Sequence, residues 1–274
     1  MEKVVIVTGA SAGIGKATAL ELIRAGHIVY GAARRVHMME DIRDAGGHAL
    51  ALDARRPEDL ERVISTVARE RGRIDVLINN AGTVVHGAAE DVSIDQARDQ
   101  FEVNVFAPAR LVQLALPYMR EQGSGTIINI SSIGGEIALP LGCWYYATKH
   151  ALEAYSDTLR MEVEPFGIDV VIVQPGIIKT EFEDHTPRDL REISGATAYG
   201  AMAEAMAERA ESQLGEDTQG SDPGVVAAAI REAVEAGKPA TRYAVGWMAD
   251  RLLELNRTLT DREFDKLVTN FAGK

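Results

Sequence analysis

Tyr145 and Lys149 stand four residues apart, and Ser132 lies thirteen residues before the tyrosine. On a helix, the i, i+4 spacing sets the phenol and the ammonium on one face, one turn apart. A neighbouring cation favours phenolate, so a group that ordinarily titrates near ~10 becomes usable as acid or base closer to neutral pH. Ser132 could then hydrogen-bond the reacting oxygen. Together they are the parts of a proton-transfer site. Such a pair is also common decoration on solvated helices, so the argument turns on what surrounds it.

The elements around it form a regular series. Apolar runs of strand length at 3–8, 28–33, 48–52, 74–79, 125–131, 168–174 and 242–246 alternate with helical patterns at about 13–25, 36–45, 57–71, 93–121, 143–165 and 222–236. Alternating strands and helices of this kind predict an α/β fold: a doubly wound parallel sheet of about seven strands with helices on both faces, of Rossmann type. Residues 247–256 and 261–271 read as two further helices, with Trp247, Leu252, Leu255, Phe264 and Leu267 packing back on the body. From Thr180 to Ser221 no strand is expected, and the one helix-like piece places Tyr199, Met202 and Met206 along one face. This excursion sits where a substrate lid would stand, and a mobile surface loop is the other reading.

Directly after the first strand comes Thr8-Gly9-Ala10-Ser11-Ala12-Gly13-Ile14-Gly15, which opens a helix. Glycines let the backbone turn tightly and approach a pyrophosphate, while the helix N-terminus offers unpaired N–H groups to the anion. Gly9, Ser11, Gly13, Ile14 and Gly15 are therefore candidate cofactor contacts. The spacing is Gly-x-x-x-Gly-x-Gly, and the strand-turn-helix context carries the reading. Sites selective for the unphosphorylated dinucleotide place a carboxylate at the end of the second strand to grip the ribose 2′-OH. That position is Ala33 here, and Arg34 and Arg35 follow. Guanidinium groups hold a 2′-phosphate bidentately, so NADP(H) is the expected cofactor.

Composition bounds the alternatives. A chain of 274 residues with 26% charged and 46% hydrophobic residues fits one globular domain over 1–274, with a lid at about 180–221 and a helical C-terminal extension at about 247–271. The net charge of −12 repels nucleic acid and anionic lipid, which argues against both as partners. Cys143 is the sole cysteine, which fits a reducing, cytoplasmic setting. Met1–Lys3 runs straight into a strand-like stretch and has too little apolar length for a signal peptide or membrane span. The histidines at 27, 37, 48, 86, 150 and 185 do not fall at metal-ligand spacing, so no metal is expected.

Taken together, the Thr8–Gly15 turn, Asn79-Asn80-Ala81-Gly82, Asn104, Ser132, Tyr145, Lys149 and Pro175-Gly176 resemble the short-chain dehydrogenase/reductase family in chain order and spacing. The resemblance covers residues 1 to about 180 closely and the last third loosely. It implies Tyr145 as catalytic acid/base, with Lys149 as its partner and holder of the nicotinamide ribose. Ser132 would orient the substrate carbonyl, and Asn104 would hold a water linking Lys149 to solvent. It also implies that Asp53 and Ala54 meet the adenine and that Asn80, Ala81 and Gly82 line the cofactor channel. Pro175, Gly176, Ile178 and Thr180 would lie by the nicotinamide carboxamide. Plainer roles remain open for three of these: Asn80 could cap a turn, Thr180 a helix, and Asp53 could be solvated. The longer Tyr-to-Lys separation of the enoyl branch and the Gly-x-x-Gly-x-x-Gly of the sugar-nucleotide branch are both absent, so carbonyl/alcohol chemistry is the natural expectation.

Expected pocket walls are Val84, Val85, His86, Leu139, Cys143, Trp144, Phe182, Tyr199, Met202 and Met206. Their apolar character suggests a small-molecule substrate such as a hydrophobic ketone, aldehyde or steroid-like alcohol. A non-catalytic NADPH-binding sensor is the competing reading, because fold does not fix function. Apolar and small residues on several faces of the helices at 93–121 and 143–165, including Phe106, Leu111, Leu114, Ala147, Ala151 and Ala154, suggest that one face meets another subunit. The family resemblance likewise implies a homodimer or homotetramer.

Overall fold

The computed structural model describes residues 1–212 and 220–271. Its centre is a seven-stranded parallel sheet in the order β3-β2-β1-β4-β5-β6-β7. The strands are β1 (Val4–Thr8), β2 (Ile28–Ala33), β3 (His48–Ala51), β4 (Val76–Asn79), β5 (Gly125–Ile130), β6 (Ile168–Pro175) and β7 (Arg242–Val245). Each expected strand is present to within two residues at either end. The apolar runs predict them well because a parallel sheet is buried on both faces.

Alternation along the strands divides the core. Val4 and Ile6 of β1, with Leu77, Ile127 and Val170, face one side. There they meet α3 (Pro57–Arg71), α5 (Ala107–Gln122) and the end of α6 (Cys143–Val163) through Val63, Leu111 and Leu159. Val5 and Val7, with Ile78, Ile128 and Val171, face the other side. They pack on α1 (Gly13–Arg24), α2 (Glu40–Asp44) and α9 (Pro223–Glu235) through Leu22, Ile42 and Ile230. The chain winds outward from β1 in one direction and from β4 in the other, which opens a crevice at the strands' carboxyl ends.

The expected helix at 93–121 is one helical path interrupted by a π turn. Ser93 caps α4 (Ile94–Phe101) in a reciprocal box with Gln96, Glu102–Phe106 widens into the π turn, and α5 continues from Ala107. The turn carries Asn104, and π turns of this kind recur at functional sites.

The 180–221 excursion is more ordered than the sequence suggests. It begins with a 3-10 turn at Glu181–Glu183 and continues through α7 (Thr186–Ser194) and α8 (Gly200–Ser212). Arg191 of α7 reaches Glu204 of α8 at 2.7 Å and also pairs with Glu211. Leu190, Ala203 and Ala207 make the buried seam, with Tyr199 and Met206 against it, whereas Met202 turns outward. Residues 213–219 of the expected lid lie outside the described residues. The tail forms α10 (Ala249–Thr258) and α11 (Asp261–Phe271), which pack on the 133–139 segment through Leu253, Phe264 and Val268. Among the described residues, no helix is long and apolar enough to cross a membrane and no cluster of potential metal ligands occurs.

Candidate active site

At the carboxyl end of β1 the chain enters a tight turn, with Gly9 at φ 68° and Gly13 at φ 53°, a region that side chains with a Cβ rarely adopt. A Cβ on Gly9 would stand 2.9 Å from the Ala81 Cα. The turn is bound to β4: Thr8 Oγ1 accepts from the backbone N–H groups of Asn80 and Ala81, each at 3.0 Å, and the Asn80 amide donates to Thr8 O at 2.8 Å. Ala12 occupies the N-cap of α1 and provides no side-chain cap. The first N–H groups of that helix therefore lack a side-chain acceptor at an anion-binding position, and Gly9, Ser11, Gly13 and Ile14 line the adjoining cleft. Gly15 is packed against Asn80 and the Gly9 backbone, so its role is to bring helix and strand together.

Ala33, Arg34 and Arg35 follow along the same cleft. Arg34 is exposed, while the guanidinium of Arg35 donates twice to Glu181 at 3.2 Å. Asp53 and Ala54 line the cleft beyond the end of β3. Asp53 Oδ1 accepts from the backbone N–H of Arg55 at 3.1 Å, and the Arg55 side chain is held by Asp99 at 2.7 Å. The sequence reading missed Arg55, a third cation at this end, although its place two residues after Asp53 was there to be noticed.

Toward the other end lie the proton-transfer candidates. Tyr145 and Lys149 are both nearly buried, on the face of α6 that turns to the cleft. Lys149 Nζ lies 5.8 Å from the Tyr145 ring centroid and donates to Ile130 O at 3.0 Å. Burial brings the Lys149 amine down to about 8, while the Glu153 carboxylate one turn on pulls the other way. Ser132 follows β5 in extended conformation, and its Oγ accepts from the N–H of Gly134 at 3.0 Å. That contact leaves the hydroxyl proton to donate elsewhere. Asn104 is buried, with its amide in use: Oδ1 accepts from Thr83 N at 2.8 Å, and Nδ2 donates to Thr83 O at 2.9 Å and Thr148 Oγ1 at 3.0 Å. Both amide hydrogens are thus spent, which leaves the second lone pair of Oδ1 or the backbone for a water relay at this residue.

Pro175, Gly176, Ile178 and Thr180 line the cleft between these groups and the glycine turn, as do Asn80, Ala81 and Gly82. Thr180 does cap the following 3-10 turn, accepting from Phe182 N at 3.3 Å. Phe182 then sets its ring 6.3 Å from that of Tyr145. The cleft has a volume of about 720 Å³ and joins the glycine turn, the two arginines and Tyr145 in one space. The donor set therefore fits a dinucleotide: uncapped helix amides and arginines at one end, and a phenol–amine pair at the other.

The family model for short chain dehydrogenases matches residues 3–191. The chain belongs to that family. As a short-chain dehydrogenase it is an oxidoreductase of a family that uses NAD(P)(H). It is 35% identical to a 3-ketodihydrosphingosine reductase of Bacteroides thetaiotaomicron over 92% of this chain and 95% of that one. It is 34% identical to the uncharacterized oxidoreductase YbbO of Escherichia coli K12, over 98% and 94% of the two chains. A solved short-chain dehydrogenase from Streptomyces avermitilis superposes with a TM-score of 0.81 at 37% identity, covering both chains completely.

The walls of this short-chain dehydrogenase's cleft differ from those expected. His86, Leu139, Phe182 and Met206 line it, but Val84, Val85, Cys143, Trp144, Tyr199 and Met202 do not. Trp144 precedes Tyr145 by one residue, so helical geometry turns it about 100° away, where it meets Phe101 edge-on at 6.5 Å. Ile133, Ile137, Leu190, Trp247, Leu252 and Val268 take the missing places. His86 is buried with its Nδ1 3.1 Å from Thr186 Oγ1, and burial pushes its pKa down to about 4, so the ring is neutral near pH 7.

Proposed function

We propose that this enzyme is an NADP(H)-dependent carbonyl reductase, or in reverse a secondary-alcohol dehydrogenase, acting on a hydrophobic ketone, aldehyde or steroid-like substrate. The observation that carries the reading is the single cleft joining Arg34 and Arg35 at one end to Tyr145, Lys149 and Ser132 at the other. The substrate part of that cleft is walled by Ile137, Leu139, Phe182, Trp247 and Leu252, which suits an apolar body. The Bacteroides relative's name, a ketone reductase, favours a long-chain ketone within that class.

The glycine turn and the uncapped start of α1 would hold the pyrophosphate, and Arg34 and Arg35 the 2′-phosphate. Asp53 and Ala54 would flank the adenine. When bound, the cofactor supplies a hydride to the carbonyl carbon. Tyr145 then donates its phenolic proton to the carbonyl oxygen. Ser132 donates a hydrogen bond to the same oxygen as negative charge builds there. Lys149 favours phenolate through its charge, and proton return runs past it toward Asn104. Phe182, with its ring 6.3 Å from that of Tyr145, gives the phenol an apolar neighbour at this step.

The molecule acts as one catalytic domain with a lid and a C-terminal extension, in the cytoplasm, where the free thiol of Cys143 is at home. A panel of apolar ketones with NADPH, followed at 340 nm, tests the activity. Tyr145→Phe should lower kcat by roughly 10²- to 10⁴-fold while NADPH binding stays within about twofold of wild type. Unchanged turnover would remove Tyr145 from the mechanism, and a preference for charged 2-oxo acids would refute the substrate class.

A further inference from the structure

Three consecutive side chains at the root of the lid touch three parts of the proposed site. Thr180 packs beside the phosphate turn, where a Cβ added to Gly13 would come within 3.1 Å of its Cγ2. Glu181 accepts both guanidinium hydrogen bonds of Arg35, each at 3.2 Å, across 146 residues of sequence. Phe182 sets its ring against Tyr145. Arg35 and Glu181 both line the cofactor cleft and both remain partly open to solvent, at 47% and 55% exposure. Their contact can therefore exchange with a dissolved ligand.

We propose that Glu181 is a cofactor-discriminating residue, an internal carboxylate that occupies Arg35 until a 2′-phosphate displaces it. This rests on the reading of Arg35 as a 2′-phosphate ligand. A phosphate monoester carries about −1.5 to −2 charges near pH 7 and matches the guanidinium fork bidentately, so it outcompetes a single carboxylate. The neutral 2′-hydroxyl of NADH has no such power and leaves the pair closed. Once displaced, Glu181 faces a phosphate of like sign and is pushed off its seat. Glu181 lies between Thr180 and Phe182, so its release loosens the lid root beside both the pyrophosphate turn and the catalytic phenol. The carboxylate thus tempers NADPH affinity and reports the phosphorylated cofactor to the lid.

The test uses the full chain, wild type and Glu181→Gln, with adenosine 2′,5′-bisphosphate and AMP as probes that carry no nicotinamide. Dissociation constants come from calorimetry and lid opening from amide hydrogen exchange at residues 180–185. The variant should bind the bisphosphate about two- to fivefold more tightly, the range an exposed ion pair supports, and AMP as wild type does. In wild type, the bisphosphate should speed exchange at the lid root and AMP should not, whereas in the variant exchange should be fast with either probe. Equal bisphosphate affinity in the two proteins, or lid exchange indifferent to the bisphosphate, overturns the inference while leaving the NADP reading intact. Wild type binding AMP as tightly as the bisphosphate overturns both.

Discussion

At the scale of single residues, the site combines groups that favour chemistry at some cost to the fold. Lys149 is almost fully buried, and burial brings its amine to about 8 from an ordinary 10.5. A lysine whose folded pKa is lowered binds fewer protons folded than unfolded between those two values. Stability therefore rises with pH across about 8 to 10.5, and the full cost is present below that window. The cost is about 3 kcal/mol, offset in part by the bond to Ile130 O. Lys149→Met should accordingly raise the urea midpoint of the cofactor-free protein at pH 7 and flatten its rise above pH 8, while abolishing turnover. A less stable variant with the same pH slope would refute this. Arg34 and Arg35 represent the opposite trade, being exposed and costing little. Their joint replacement by glutamine should raise the KM for NADPH far more than that for NADH, and equal effects would remove the 2′-phosphate assignment. These residues were legible in the sequence because their signals are local: four positions on a helix, or two after a strand. Asp53 was less so, since its carboxylate is engaged by Arg55, whose own partner Asp99 lies 44 residues away.

At the scale of elements, the position of Ser132 depends on contacts that no short spacing announces. Gln174, at the end of β6 and 1% exposed, donates to Glu136 at 2.8 Å and to Glu153 at 3.1 Å. Glu136 lies four residues after Ser132, and Glu153 one turn after Lys149 on α6. From the tail, Arg257 pairs with Glu136 at 2.9 Å and Asn256 donates to its backbone carbonyl at 3.0 Å. One amide thus ties the Ser132 segment to α6, and α10 clamps it from outside. Gln174→Leu would leave both carboxylates short of a donor, costing about 1–3 kcal/mol by denaturant melt and lowering kcat more than it raises KM. A variant with wild-type stability and kcat would show that the bridge is idle. The strands were legible because burial on both faces writes continuous apolar runs. Helix α7 was not, because it is short and charged and buries little apolar surface beyond Leu190. Nor was the return of Trp247, Leu252 and Val268 to the cleft, since their apolar pattern signals packing without saying against what.

At the scale of the whole molecule, charge and exposed apolar surface pull against each other. Phe106, in the π turn, is 56% exposed, and Met161 near the end of α6 is 64% exposed, both on the helices from which a subunit contact is expected. Of the other faces proposed from sequence, Leu111 is spent on the core, while Ala154 remains exposed. Association through α4–α6 would cover the exposed groups, and as a homodimer or homotetramer the enzyme would bury them in an isologous interface. Each copy carries a net charge of −12, so copies repel one another at long range. Apolar burial is hardly weakened by salt, whereas that repulsion is screened once the Debye length falls from about 14 Å near 0.05 M to about 4 Å near 0.5 M. Sedimentation should therefore show an oligomer that tightens as salt is raised, the reverse of an assembly held by opposite charges. Phe106→Glu should shift it toward monomer at every salt concentration without altering the far-ultraviolet spectrum. A wild-type monomer in high salt at micromolar concentration, or a Phe106→Glu variant that associates as wild type does, would mean that these groups face solvent in the working enzyme.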